Sequence, residues 1–320
     1  MEIPTITPTP TRRDLLRLAS AASAASAAVA LAKEAVASAK EASPQLGILL
    51  ATTYTKGTLE ERLDSARAAG LACVQISMSC AGLTDMPDQI PAALPATIRR
   101  EAAARGLAIA SLTGTFNMCH PDPEHRRTGL RRLRILAEAC PGMGVSAIHL
   151  CTGTRDPNSM WRFHPDNSSP ESWRDMAACV REAAGIARQA KVVLAFEPEM
   201  SNVVDSARKA RRLMDEIASP HLKVTLDPAN LFHKGELPRM SEILDEAFTL
   251  IGKDIVLCHA KDLDHDGEAG HKPAGHGVLD YDRYLRLLRK YNFQGPLLLH
   301  GLTAEQVPGC LAFLRTKLAT

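Results

Sequence analysis

Aromatic side chains are scarce, 4% of 320 residues with only 2 tryptophans. Proteins that stack nucleobases need such rings, so nucleic acid is disfavoured as a partner. An excess of charge is missing as well: Lys+Arg 38 against Asp+Glu 36 leaves +2, too weak a field to hold a phosphate backbone or anionic lipid. No apolar run is long enough to cross a bilayer, so stable membrane insertion is not expected. The 8 cysteines include no C-x-x-C pair. Cys73, Cys151 and Cys258 lie inside apolar runs, where a thiol packs as a small hydrophobe rather than as part of a disulfide framework. No glycine-rich phosphate loop follows any apolar run. What is present is 45% hydrophobic and 23% charged, the balance of a globular protein whose default partner is a small molecule. A homo-oligomer is compatible with all of this.

Residues 1–40 differ from the rest. Arg12 and Arg13 precede a mild Ala/Ser-rich run from Leu18 to Ala32 that carries no charge until Lys33. That pattern fits a twin-arginine export signal, with Ala30-Leu31-Ala32 as a small-x-small cleavage site, ahead of a plain Ala-rich helix or a single membrane anchor. It predicts passage through the twin-arginine export machinery to the periplasm. Cargo folded in the reducing cytoplasm agrees with free thiols.

From residue 46 one pattern repeats: a short apolar run, a polar loop, an amphipathic helix. The apolar runs are 46–51, 73–78, 108–112, 147–152, 192–196, 223–226, 255–259 and 296–299, spaced as single βα units of roughly 30 residues or more. Thr58-Leu59-Glu60-Glu61 is a capping box opening a helix that closes at Gly70. A helix over 99–105 stops at Gly106, Ser169-Pro170 starts another, and 280–290 and 303–318 supply the last two. Eight alternating units predict a closed (β/α)8 barrel, an α/β TIM barrel over residues 41–320, ahead of an open doubly wound sheet.

In such a barrel the chemistry sits where strands end. Strand five ends in Phe196-Glu197-Pro198-Glu199, strand six in Leu226-Asp227-Pro228-Ala229-Asn230, strand seven in Cys258-His259-Ala260-Lys261-Asp262, strand eight in Leu299-His300-Gly301. Glu197, Asp227, His259 and His300 thus converge from four successive strand ends. Two carboxylates and two imidazoles suit one divalent ion, Mn²⁺, Zn²⁺, Co²⁺ or Fe²⁺, with Mg²⁺ disfavoured by two His ligands. Lys261 shares the phase of His259. After strand four, residues 152–164 carry Arg155, Trp161 and His164, an aromatic face with hydrogen-bonding groups able to meet a small substrate, or equally a surface loop that Trp161 anchors to the next helix. His120, fixed by Pro121 after strand three, is a further candidate for substrate contact. Residues 265–277, rich in Gly, Asp and His, read as a mobile loop rather than a second metal site.

These strand-end motifs resemble those of the xylose-isomerase-like barrels, which include sugar phosphate isomerases and epimerases, ketose 3-epimerases and inosose dehydratases. The resemblance rests on Glu197-Pro198-Glu199 with Asn202, on Leu226-Asp227-Pro228-Ala229-Asn230 and on His259-Ala260-Lys261-Asp262, and spans about residues 46–318. It implies a metal-dependent isomerase or epimerase of a small sugar or polyol ketone, with Glu197 or Glu199 as proton carrier beside Lys261. Asn230 stands where the family often has a substrate-contacting His. His300 stands where the epimerases carry a second glutamate, and an imidazole committed to metal is a poor base, which counts against two-base epimerisation. A lyase or dehydratase acting on keto-sugars or keto-glycosides, with one base, is the rival, followed by a non-catalytic sugar-binding protein of the cell envelope. A nuclease on the same barrel is disfavoured by the near-neutral charge.

Overall fold

The computed structural model describes residues 43–320; the expected export segment lies outside the described residues. Eight parallel strands form the barrel: β1 (Leu46–Leu49), β2 (Cys73–Ile76), β3 (Ala108–Thr113), β4 (Ala147–Cys151), β5 (Val193–Glu197), β6 (Leu222–Leu226), β7 (Ile255–Asp262) and β8 (Leu297–Leu299). Each pairs with its sequence neighbour, and β8 closes the sheet against β1 through Gly47↔Leu298. Closure removes every edge that would otherwise expose unpaired backbone. Gly47 is obligatory for that packing, since a Cβ there would lie 2.5 Å from Cys73 Sγ and 2.6 Å from Leu298 Cδ2.

Among the described residues, besides the single helical turn Leu50–Thr53 after β1, eight longer helices surround the strands: α1 (Leu59–Ala68), α2 (Leu94–Ala104), α3 (Pro123–Met143), α4 (Pro170–Ala190), α5 (Ala207–Ile217), α6 (Met240–Ile251), α7 (Tyr281–Lys290) and α8 (Val307–Leu318). The Thr58–Glu61 capping box is formed, Ser169 caps α4 through Ser172 N, and Asp280 caps α7. Helix α2 begins earlier than its charged C-terminal half suggests, because Pro95 occupies its first turn, where a missing N–H costs nothing. The main core lies between strands and helices, while Leu49, Cys73 and Leu298, with Ala110, form a small separate cluster. All eight cysteines are buried and free. Among the described residues no helix is long and apolar enough to cross a membrane.

Strand β7 runs three residues past its expected end. Lys272–Pro273 pairs antiparallel with Lys261 and Asp262, so the period-two alternation that sends His259 inward is held through Lys261.

Candidate active site

Inward phase on four adjacent strands brings His149 (β4), Glu197 (β5), Asp227 (just beyond β6) and His259 (β7) together, and His300 completes the group beyond β8. Asp227 Oδ2 lies 3.5 Å from His259 Nδ1, 3.6 Å from His300 Nδ1 and 3.2 Å from Lys261 Nζ. Glu197 Oε2 lies 3.6 Å from His259 Nδ1 and 3.5 Å from His149 Nε2. Glu197, Asp227 and His259 are buried to within a few per cent of completely, so their charges act on one another through a poorly screening medium.

The charges are balanced locally. Burial alone would raise the Glu197 carboxyl, yet the His259 imidazole beside it holds it down, at about 2. Burial opposes charge on His259 too, but Glu197 and Asp227 lift it to about 9. Burial would likewise raise Asp227, and Lys261 outweighs it, keeping Asp227 well below the carboxylate range. Burial pushes His149 down to about 3, and burial together with Lys261 pushes His300 down to about 4.

His149 was not among the residues singled out from sequence, and its protonation follows from its neighbours. Thr225 Oγ1 donates to the Ala195 carbonyl at 3.1 Å. It therefore accepts from His149 Nδ1, 3.1 Å away, which leaves the Nε2 lone pair facing the Glu197 carboxylate. A cation resolves that opposition of lone pairs. The other donors agree: Asp227 Oδ2, both nitrogens of His259 and His300 Nδ1 are buried without a hydrogen-bond partner. Unpaired buried polar atoms are costly, and three nitrogens with two carboxylates fit a divalent transition ion. The available signal for His149 was its position as the one polar residue in an otherwise apolar β4, in phase with the site.

Glu197 has no free oxygen for proton transfer, because its Oε1 accepts from Asn230 Nδ2 at 2.6 Å. Asn230 is itself fixed by Gly270 N, which donates to its Oδ1 at 2.9 Å. Glu199 differs. Its Oε2 accepts from Asn202 Nδ2 at 2.9 Å, and its Oε1 has no partner. Burial, with Glu197 nearby, pushes the Glu199 carboxyl up to about 7. Asn202 also accepts from Gly153 N at 2.6 Å. Gly153 has φ +77°, and a Cβ there would collide with Asn117 Oδ1, so only glycine permits this turn.

A cavity of about 770 Å³ opens over these groups, lined by His149, Glu197, Glu199, Asn230, Lys261 and His300, with Trp161, Met160 and Leu49 on its apolar side. Trp161 is 55% exposed there. Three residues expected to meet substrate do not line this cavity, and each has a structural explanation. Arg155 is buried, with Nε donating to Ser172 Oγ and Nη2 to Asp175 Oδ2, both at 2.8 Å, so its guanidinium pins the loop to α4. His164 accepts from Asp166 N through Nδ1 and caps a short 3-10 helix, Pro165–Ser168. His120 Nδ1 accepts from Asp122 N, its Nε2 faces the Pro157 carbonyl, and its ring stacks on His125 at 3.9 Å. These contacts tie the three side chains to the loop geometry beside the cavity.

Comparison with known proteins adds the family and the fold. The family profile described as xylose isomerase-like TIM barrel matches residues 63–314. A search of curated proteins finds no match. Among solved structures, a xylose isomerase domain protein from Planctomyces limnophilus superposes with TM-score 0.63 at 18% identity, over 80% of this chain and 90% of that one. The 3-keto-D-glucoside 4-epimerase from E. coli gives TM-score 0.64 at 18% identity, over 86% and 100%. D-psicose 3-epimerase from Clostridium cellulolyticum, solved with D-tagatose, gives 0.66 at 14% identity, over 86% and 99%. At such identities the likeness is one of fold.

Proposed function

Because the chain belongs to the xylose isomerase-like TIM barrel family, we propose that it is a divalent-metal-dependent isomerase or epimerase of a small sugar or polyol ketone. One observation carries this reading: a buried set of unpartnered nitrogen and oxygen atoms, reaching the cavity at His300, lies beside a cavity-lining carboxylate, Glu199, that keeps one oxygen free. Glu197, Asp227, His259 and His300, joined by His149, would hold the ion. When bound, a divalent ion supplies Lewis acidity toward a carbonyl and the hydroxyl beside it.

Glu199 is the proton carrier, since both oxygens of Glu197 are committed. The substrate's C–H bond α to the carbonyl breaks, its proton passes to Glu199, and the electron pair moves onto the carbonyl oxygen. Return of a proton to the opposite face of that carbon gives an epimer; return to the former carbonyl carbon gives an aldose–ketose isomer. Lys261 presents an ammonium on the cavity wall. Burial opposes that charge, but Asp227 and Glu197 raise the pKa above its ordinary value, so it stabilises developing negative charge and donates rather than accepts. Trp161 offers a face to the C–H side of the sugar ring.

A second reading is favoured by His300. An imidazole rather than a carboxylate after β8 leaves Glu199 without a second strand-end carboxylate facing it across the floor, and β-elimination from a keto-sugar or keto-glycoside needs only one base. The deciding experiment incubates metal-loaded protein with keto-sugars in D₂O and follows NMR. Deuterium at the α-carbon of an intact sugar supports the isomerase. Loss of the β-oxygen substituent with an enone product supports the lyase. Saturable binding with neither change supports a sugar-binding envelope protein and sinks both enzymes. The reading also has the protein exported folded to the periplasm, so replacing Arg12 and Arg13 by Lys should retain it in the cytoplasm, which fractionation would detect.

A further inference from the structure

The loop between β7 and α7 carries a cluster that the proposed reaction does not use. His265 Nδ1 lies 2.6 Å from Asp264 Oδ1, and His265 Nε2 lies 3.0 Å from Glu268 Oε1. His271 Nε2 lies 2.7 Å from the same Asp264 oxygen, and His271 Nδ1 lies 3.4 Å from the same Glu268 oxygen. Two imidazoles, with centroids 4.3 Å apart, therefore bridge one pair of carboxylate oxygens. Lys272 Nζ holds the other Asp264 oxygen at 2.8 Å.

A neutral imidazole has one N–H, so two rings donate to at most two of these four approaches. With both rings neutral the remaining two oppose lone pairs, a conflict that a further proton or a bound cation removes. His271 Nδ1 is moreover a buried atom without a hydrogen-bond partner. A divalent cation removes both conflicts at once. Ligand atoms of Asp264, His265 and His271 lie within 4.8 Å of one another, a spread that bonds of about 2.0–2.2 Å close with a small side-chain adjustment.

We propose that Asp264, His265 and His271, with Glu268 beside them, form a second divalent-cation site on the rim of the barrel. Two imidazoles with carboxylate oxygen select a borderline ion such as Zn²⁺, Ni²⁺ or Cu²⁺ over Ca²⁺ or Mg²⁺. The site shares no residue with the floor. Glu268 and His271 line the cavity mouth, and Gly270 between them holds Asn230, which holds Glu197. Occupancy of the rim braces the segment that positions Asn230.

The test is calorimetric titration with Zn²⁺ of full-length, tag-free, chelator-stripped protein, beside His265→Ala/His271→Ala and His259→Ala variants. Two ions per chain in wild type and one in the rim variant is the expected result. His265→Gln/His271→Gln, which keeps side-chain bulk, should lose the same equivalent. One wild-type ion that persists in both rim variants and vanishes in His259→Ala overturns the rim site and leaves the floor intact. One ion lost only in the rim variants keeps the rim site and removes the floor. No ion in wild type overturns both, leaving the rim as an imidazolium–carboxylate cluster.

Discussion

The strand ends at the barrel floor and the loop that follows β4 are built from similar polar residues, and those residues do opposite work. At the floor, the pleat decides where a side chain points, so Glu197 and His259 turn inward because their strands are in register. In the loop, buried polar groups of main chain and side chains alike need partners, and the nearest side chains supply them. Arg155 is drawn to Ser172 and Asp175 and His164 to Asp166 N, while Trp161, which has no strong acceptor to satisfy, is left at the cavity. Residue type alone does not mark a binding residue. What matters is whether the fold already uses its polar atoms.

The sharpest way to break this comparison is at Asp227, whose Oδ2 faces His259, His300 and Lys261 at 3.2–3.6 Å. Asp227→Asn keeps the shape and removes the charge. Bound metal should be lost, and turnover should fall on the order of 10³-fold, the scale of several kcal/mol of Lewis-acid stabilisation. Metal content by mass spectrometry and steady-state rates check both. Retained metal and rate in that variant would falsify the floor as the reactive centre.

Glu199 comes next. Glu199→Gln should lower turnover about 10²–10⁴-fold while leaving metal content unchanged, which separates proton transfer from ion binding. It also carries a pH signature in the metal-free protein. With its carboxyl raised to about 7 against the ordinary value near 4.5, folding favours the protonated form. Wild-type stability from this group is complete below about pH 4.5 and is lost as pH rises toward 7, by about 3 kcal/mol. Urea unfolding in chelator should show wild type losing that amount relative to Glu199→Gln between those pH values. Parallel curves would remove the buried acid from the account.

The same division explains what the sequence makes legible. The eight apolar runs and their capping signals foretell the barrel because strand burial and helix caps are local. Glu197, Asp227, His259 and His300 are readable as a group because strand-end position implies a shared mouth. His149 escapes that rule since it lies within β4 rather than at its end, and its role depends on Thr225 from a strand two places away. Lys261 is readable from its period-two phase with His259, whereas the pairing with Lys272–Pro273 that extends β7 to hold it is not. Arg155, His120 and His164 are loop residues whose partners are chosen by tertiary geometry, and residue type gave no warning of that.

Arg155 tests the loop side. Arg155→Ala strips the buried partner from Ser172 and Asp175 and should cost about 2–3 kcal/mol of stability, below the 3–5 kcal/mol range for a fully buried pair because Asp175 is partly exposed. Metal binding should be unchanged, since none of its contacts reaches the floor. Denaturant midpoints and zinc titration read the two quantities independently, and a large loss of metal with little loss of stability would reverse the assignment.

The smallest effects make the finest comparison, because they fall on neighbours three residues apart. Trp161 is 55% exposed and lines the cavity, whereas the His164 ring is engaged with the backbone at Asp166. Trp161→Ala should raise KM about tenfold, the loss of roughly 1.4 kcal/mol of stacking on a sugar face, and should leave stability within about 0.5 kcal/mol. His164→Ala should do the reverse, costing about 1 kcal/mol as a lost cap with KM unchanged. If both variants raise KM equally, the loop as a whole forms the binding wall, and the separation of anchor from platform does not hold. If only Trp161 does, two residues of one loop have been sorted correctly by one criterion: whether the backbone had already taken the side chain.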